Sequence, residues 1–210
     1  MRKEKRMSPE IAWFSAARLA EYHAARHGDR EAALRLHCWN TEISSAFYEA
    51  LQFVEVGLRN AVHHRLQEQL GRVDWWSTLT LHHAGADMIA TVEDKLDRFT
   101  TSWTPDDVVA RLPFGFWVAL FGPAYEHPLW YGGLRRALPG YTDRRRLRLH
   151  RELESLRLFR NRIAHHRPIY HRHLEADHRS VLRMLGYLSA PLGALVEKHS
   201  RVPMLLACRP

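Results

Sequence analysis

Residues 43–66 read "ISSAFYEALQFVEVGLRNAVHHRL", and this stretch decides the fold. Ile43, Phe47, Leu51, Val54, Leu58 and Val62 recur at spacings of three and four, which lays an apolar stripe along one face of an α-helix. The helical pattern extends from about Arg30 to Leu70, where Gly71 follows as a C-cap candidate. Upstream, Ser8-Pro9-Glu10 pairs a serine cap with proline at the first helical position, predicting a helix to about Ala25 that "HGD" at 27–29 breaks. Downstream, "RVDWWSTLTLHH" is turn-like and Asp87–Phe99 is helical. Thr104-Pro105-Asp106-Asp107 is a strong helix start, and Pro113 and Gly115 mark a kink or a new helix. The segment "EHPLWYGGLRRALPGYTD" reads as loop-rich.

Thr142 or Asp143 is then expected to cap a helix whose stripe is Leu149, Leu153, Leu156, Phe159 and Ile163. Pro168 cannot lie inside that helix and restricts Arg167, so the helix ends near His165 or His166. A last helix is predicted over Glu175–His199. No stretch alternates with period two between hairpin turns, so no sheet is expected. The fold class is all-α, a helical bundle in a single domain.

The chain's 210 residues suffice for one hydrophobic core. Its 46% hydrophobic and 26% charged content fits a globular protein and excludes a disordered one. The longest mostly apolar run, "FGFWVALFGPAY" from Phe114, falls short of the roughly 20 residues that span a bilayer, so no membrane partner is expected. The basic start "MRKEKRMSPE" leads into an amphipathic pattern instead of a signal-peptide core. Cys38 and Cys208 show no CxxC spacing. A reducing compartment and a cytoplasmic location are the expectation.

Lys plus Arg number 31 against 23 Asp plus Glu, a net charge of +8, and the lysines are only Lys3, Lys5, Lys95 and Lys198. Arginine's planar fork matches phosphate, so the bias suits a nucleic-acid partner, although GC-rich coding produces the same bias. The run "RRRLRLHRELESLRLFRNR" from Arg144 concentrates cations, and Arg144, Arg145, Arg146, Arg148, Arg162 and Arg167 are the candidate RNA contacts.

That run leads into "RNRIAHHRP", residues 160–168, which echoes "RNAVHHRL" from Arg59. The Pro168 stop puts His165 and His166 in a last helical turn, where the macrodipole and free carbonyls favour a cation. Histidine is the side chain that changes charge near neutrality, as general acid–base catalysis needs. Asn161 lies four residues before His165 on the same face. Arg160 lies about 140° around an ideal helix from His165. Either the last turn is irregular, or Arg160 reaches round, or a second copy of the chain completes the site. RNA carries its own nucleophile, the 2′-hydroxyl. A histidine to move the proton and an arginine to hold the phosphate suffice to cleave it without a metal. Exposed Arg and His at a helix end are, on spacing alone, more often merely solvated.

"ESLRLFRNRIAHHRPIY" (154–170) resembles the Arg-x4-6-His signature of the HEPN superfamily. More narrowly, "WNTEISSAFYEALQFVEVGLRNAVHHRL" (39–66), "LPFGFWVALFG" (112–122) and "FRNRIAHHRPIY" (159–170) resemble, in this order, the Abi-like (abortive infection) proteins of bacteria. Residues 1–210 would then form one Abi-like HEPN-type domain, its core resemblance spanning 39–170 with flanking helices packed on it. The resemblance implies a homodimer with a composite, metal-independent endoribonuclease site acting on RNA in anti-phage defence, with no cofactor. It places Arg160 and His165 at the catalytic positions and Asn161 at the polar one, with His166 as the alternative imidazole. A non-catalytic RNA-binding adaptor, or a toxin held by an antitoxin protein or noncoding RNA, shares the same features.

The first echo reads differently. Arg59 and His63 are an i,i+4 pair in mid-helix, and Glu55–Arg59 is expected as an ordinary helix ion pair. Flanking the apolar stripe, Glu55 and Arg59 would brace the catalytic helix or contact RNA. An imidazole metal site from "HRH" at 171–173 with His165, His166 and His178 lacks a recognised ligand spacing, so no metal is expected. Trp75, Trp76, Trp103, Phe114, Phe116, Trp117, Trp130 and Tyr131 could stack bases but are more often core.

Overall fold

The computed structural model describes residues 14–210, so the helix start expected at Ser8 lies outside the described residues. The first described helix, α1 (Ala16–Ala25), is capped by Ser15, whose hydroxyl accepts from the Arg18 N–H at 3.2 Å. The long segment is one helix, α2 (Arg30–Leu70), of 41 residues and thus roughly 60 Å. Asp29 caps its start, and Gly71, at φ 68°, closes it in the left-handed conformation that glycine tolerates best. All six stripe residues, Ile43 to Val62, are buried.

Beyond a 3₁₀ turn at Trp75–Ser77 come α3 (His83–Phe99), α4 (Pro105–Arg111) and α5 (Phe114–Ala119). Helix α3 begins ahead of the expected Asp87. Pro113 opens a new helix, and does not kink an old one. The Thr104 N–H and hydroxyl both donate to the Asp107 carboxylate, which fixes the α4 start and lowers that carboxyl's pKa. The zone read as loop winds into short turns, 3₁₀ at Pro123–Tyr125, π at Glu126–Tyr131 and 3₁₀ at Leu134–Ala137. Burial of Leu129, Trp130, Leu134 and Ala137 accounts for this, because a buried backbone must bond to itself.

Then follow α6 (Arg146–Ala164), α7 (Leu174–Leu188), α8 (Ala190–His199) and α9 (Val202–Ala207). The expected cap at Thr142 or Asp143 is not used. Arg145 stands at the N-cap, and Asp143 instead collects Arg145 and Arg148 at 2.6 and 2.7 Å. The single helix predicted over 175–199 is two. Pro191 cannot donate to the Tyr187 carbonyl, which takes the Gly140 N–H at 2.9 Å, and Ser189 caps the new start. Gly140 has to be glycine there, since a Cβ would lie 2.4 Å from the Gly186 carbonyl oxygen.

Helix α2 is the spine on which α1, α5, α6, α7, α9 and the 134–137 turn pack. One continuous apolar cluster runs from Leu19 to Leu205, with Phe47 of α2 edge-on to Phe159 of α6 at 5.0 Å. Trp75, Trp76, Phe114, Phe116, Trp117 and Trp130 are buried in it, which removes them as base-stacking platforms. Of the other two, Trp103 is half-buried with its indole N–H on Asp97 at 2.7 Å, and Tyr131 is exposed. The described residues contain no strand, and no helix among them is long and apolar enough to cross a membrane.

Candidate active site

Five residues of α6, Leu149, Leu153, Leu156, Phe159 and Ile163, are buried, so the stripe turns Arg160 and Asn161 toward the margin of the packed face. The helix is regular through Ala164 and stops where Pro168 requires it. The His166 N–H bonds to the Ile163 carbonyl at 2.8 Å and the Arg167 N–H to the Arg162 carbonyl at 2.9 Å. This paired closure demands a left-handed residue, and His166 supplies it at φ 54°. Histidine takes that conformation more readily than most side chains, though less readily than glycine. His165, His166 and Arg167 are all exposed.

Arg160 does not turn toward His165. Its Nε donates to Glu55 Oε2 on α2 at 3.0 Å, and its guanidinium lies 6.0 Å from the Tyr48 ring centroid. Its two terminal nitrogens have no partner among the described residues. Glu55 therefore does not pair with Arg59 as the local spacing suggested. Arg59 donates instead to Asn60 Oδ1 and to the Ala110 carbonyl at 3.2 and 3.3 Å. Packing of α6 on α2 brought Glu55 a partner 105 positions away, which spacing within one helix cannot reveal.

The loop after Pro168 is held from α2. Asn40 Oδ1 accepts the Ile169 and Tyr170 N–H groups at 2.8 and 3.0 Å, and Asn40 itself is 5% exposed. Arg162 donates through Nε to the Pro168 carbonyl at 2.6 Å and sits 3.3 Å from His171 Nε2. Arg18 of α1 donates to the His166 carbonyl at 2.8 Å. Neither Asn40 nor Arg18 was singled out in the sequence. Asn40 carried a signal, being a polar residue three positions before Ile43 in the phase of the apolar stripe.

Between α1, α2 and the end of α6 lies a groove of about 670 Å³. Phe14, Tyr22 and His37 border it with Arg18, while Asn40, Thr41, Ser44, Ser45 and Tyr48 form its α2 wall. Ile163, Ala164 and His166 complete it, and His165 does not line it. Burial, then Arg18, pushes the His37 pKa down, and burial above all pushes the Tyr22 phenol up to about 12. Neither of those rings carries charge at neutral pH, so Arg18 is the cation on that wall.

The first echo is structural. His63 is buried, accepts the Trp75 indole N–H at Nδ1 at 3.0 Å, and has Nε2 3.5 Å from Asp106. Burial is the main cause of its lowered pKa. Among the candidate RNA contacts, Arg146 is corrected. At 7% exposure it donates to the Phe121 carbonyl at 2.7 Å and pairs with Glu126 at 3.2 Å. Position 146 falls in phase with Leu149 and Leu153, so its side chain enters the core. Arg144, Arg145 and Arg148 are exposed, the last two with Arg151 and Arg183 around a hollow between α6 and α7. The imagined imidazole cluster is dispersed. His178 is buried against Ser200 at 2.9 Å, and His173 caps α7. No three His, Cys, Asp or Glu side chains among the described residues stand together as a metal-holding group.

No family model, curated protein or solved structure matches this chain.

Proposed function

We propose that this protein is a metal-independent endoribonuclease of the HEPN type, acting in anti-phage defence as a homodimer. The observation that carries the reading is the end of α6. There, within seven residues (160–166), the guanidinium of Arg160 keeps both terminal nitrogens free among the described residues and two imidazoles are exposed. Glu55 grips only Nε, which steadies the fork while leaving its outer edge for a phosphate.

The chemistry needs three acts. A histidine takes the 2′-hydroxyl proton as that oxygen forms a bond to phosphorus. Arg160 stabilises the charge on the phosphorane oxygens. The bond from phosphorus to the 5′-oxygen breaks, and that oxygen is protonated, leaving a 2′,3′-cyclic phosphate and a 5′-hydroxyl. Asn161 orients the reacting groups. His165, which faces solvent beyond the groove, suits a site completed by a second copy, whereas His166 suits a site within one protomer.

The test is incubation of RNA with the protein and excess EDTA beside Arg160→Ala, His165→Ala and His166→Ala. Cleavage to cyclic-phosphate ends by the wild type, lost in Arg160→Ala and in one histidine variant, is the expected result. Cleavage by all the variants would overturn the site. Intact RNA bound equally by all would favour a non-catalytic RNA-binding role.

A further inference from the structure

The hollow between α6 and α7, about 520 Å³ in volume, is ringed by Arg145, Arg148, Arg151 and Arg183. Two carboxylates face them. Asp143 takes Arg145 and Arg148 at 2.6 and 2.7 Å, and Glu152 takes Arg148 and Arg183 at 3.3 and 3.4 Å. Both acids are largely shielded, with side chains 20% and 19% exposed. They anchor the guanidiniums, which form the exposed rim. Each anchored fork keeps one terminal nitrogen without a partner among the described residues. Arg151, also exposed, has no partner among them at all. Four guanidiniums against two shielded carboxylates leave a surplus of two positive charges toward solvent.

Charge and shape together say what kind of partner fits. A guanidinium held in place favours phosphate, since its N–H donors are aimed outward and its side-chain freedom is already restricted. One phosphate occupies a fork or two, whereas four forks around one hollow suit successive phosphates of a strand. The outward face of α6 extends the track. Arg148, Arg151, Ser155, Leu158, Arg162 and His165 recur at spacings of three and four, so they share one side of the helix. All but the half-buried Arg162 are exposed. This side leads from the hollow to His165, about 21 Å beyond Arg151 at the helical rise. His166, by contrast, lines the groove against α1 and α2.

We propose that the hollow docks the backbone phosphates of a single RNA strand, with Arg151 and Arg183 as contact residues and the strand running along α6 toward His165. Recognition there is of phosphate and carries no base sequence. Where the strand is cut rests on the ribonuclease reading. Its docking in the hollow stands alone.

The experiment reads binding of a fluorescent 2′-O-methyl RNA strand, which lacks the nucleophile, by anisotropy over a range of salt concentrations. Arg151→Ala and Arg183→Ala stand beside Arg98→Ala, which removes the same charge from an exposed position on α3. Arg151 has no partner among the described residues, so the Tm of its variant should match the wild type. Each hollow variant should weaken binding about fivefold, the upper end for an exposed ion pair. Each should also lower the salt slope by about 0.7, one phosphate's share on a single strand. Arg98→Ala should leave both nearly unchanged. No binding by the wild type, or equal effects of all three substitutions, would overturn the proposal. A cleavage arm compares long RNA with a dinucleotide, which is too short to reach the hollow from His165. Arg151→Ala should raise KM for the long RNA and leave the dinucleotide unaffected; a loss on both would overturn the track to His165. Docking without cleavage would sink the ribonuclease reading and leave the hollow standing. Cleavage without a docking effect at Arg151 and Arg183 would do the reverse.

Discussion

Replacing Asn40 by alanine removes the acceptor that two backbone N–H groups share in the loop behind the α6 end. Two donors lose their partner, the N–H groups of Ile169, a fully buried residue, and of Tyr170, a half-buried one. An unpaired buried donor costs about 1–3 kcal/mol, with the exposed-side N–H at the low end because water can reach it. The sum is about 2–4 kcal/mol. For a chain of this size that corresponds to a fall in Tm of about 5–15 °C. Urea unfolding followed by circular dichroism measures it directly. Asn40→Asp is the control, since its carboxylate offers acceptors to both N–H groups while losing the amide donors. It should recover part of the loss, less the cost of burying a charge. A change in Asn40→Ala below about 0.5 kcal/mol, the level of an ordinary surface substitution, would refute the pinning of this loop from α2.

Glu55→Gln keeps an acceptor for Arg160 but removes the charge. Stability should fall by less than about 1 kcal/mol, as for a partly exposed pair, while the rate of RNA cleavage drops with KM rising; unchanged kinetics would show that Glu55 does not position Arg160. Arg146→Ala leaves the Phe121 carbonyl without its donor and should cost about 2–4 kcal/mol, whereas Arg144→Ala should stay within about 0.5 kcal/mol; equal unfolding midpoints would overturn the assignment of Arg146 to the core. Burial holds the pKa values of His63, His150 and His178 below the ordinary histidine value, so the unfolded chain binds protons first on acidification. Stability should therefore fall as pH drops from roughly 6.5, until the depressed folded-state values are reached. His178→Gln should flatten part of that slope between pH values of about 7.5 and 5.5, and a wild-type Tm that is flat or rises on acidification would contradict the burial argument.

Local chemistry was legible in the sequence wherever it acts over a turn or two. The α2 stripe from Ile43 to Val62, the Gly71 closure, the α4 start at Thr104-Pro105 and the α6 stop before Pro168 follow from periodicity, left-handed tolerance and a missing N–H. The same rules govern the Ser189-Pro191 break and the inward phase of Arg146. The path of 123–137 was not legible, because burial and not composition winds that segment into turns.

The candidate site divides along the same line. Residue order alone places Arg160, Asn161, His165 and His166 in the last turns of a Pro-stopped helix, since backbone sterics within a few residues settle that. Helix packing, by contrast, turns Arg160 to Glu55, sets Asn40 against the loop at Ile169, and opens a groove between α1 and α2 with His166 in its wall and His165 outside it. Those contacts join positions more than a hundred residues apart. Their partners are chosen by how two helices pack, and no spacing along one helix encodes that choice.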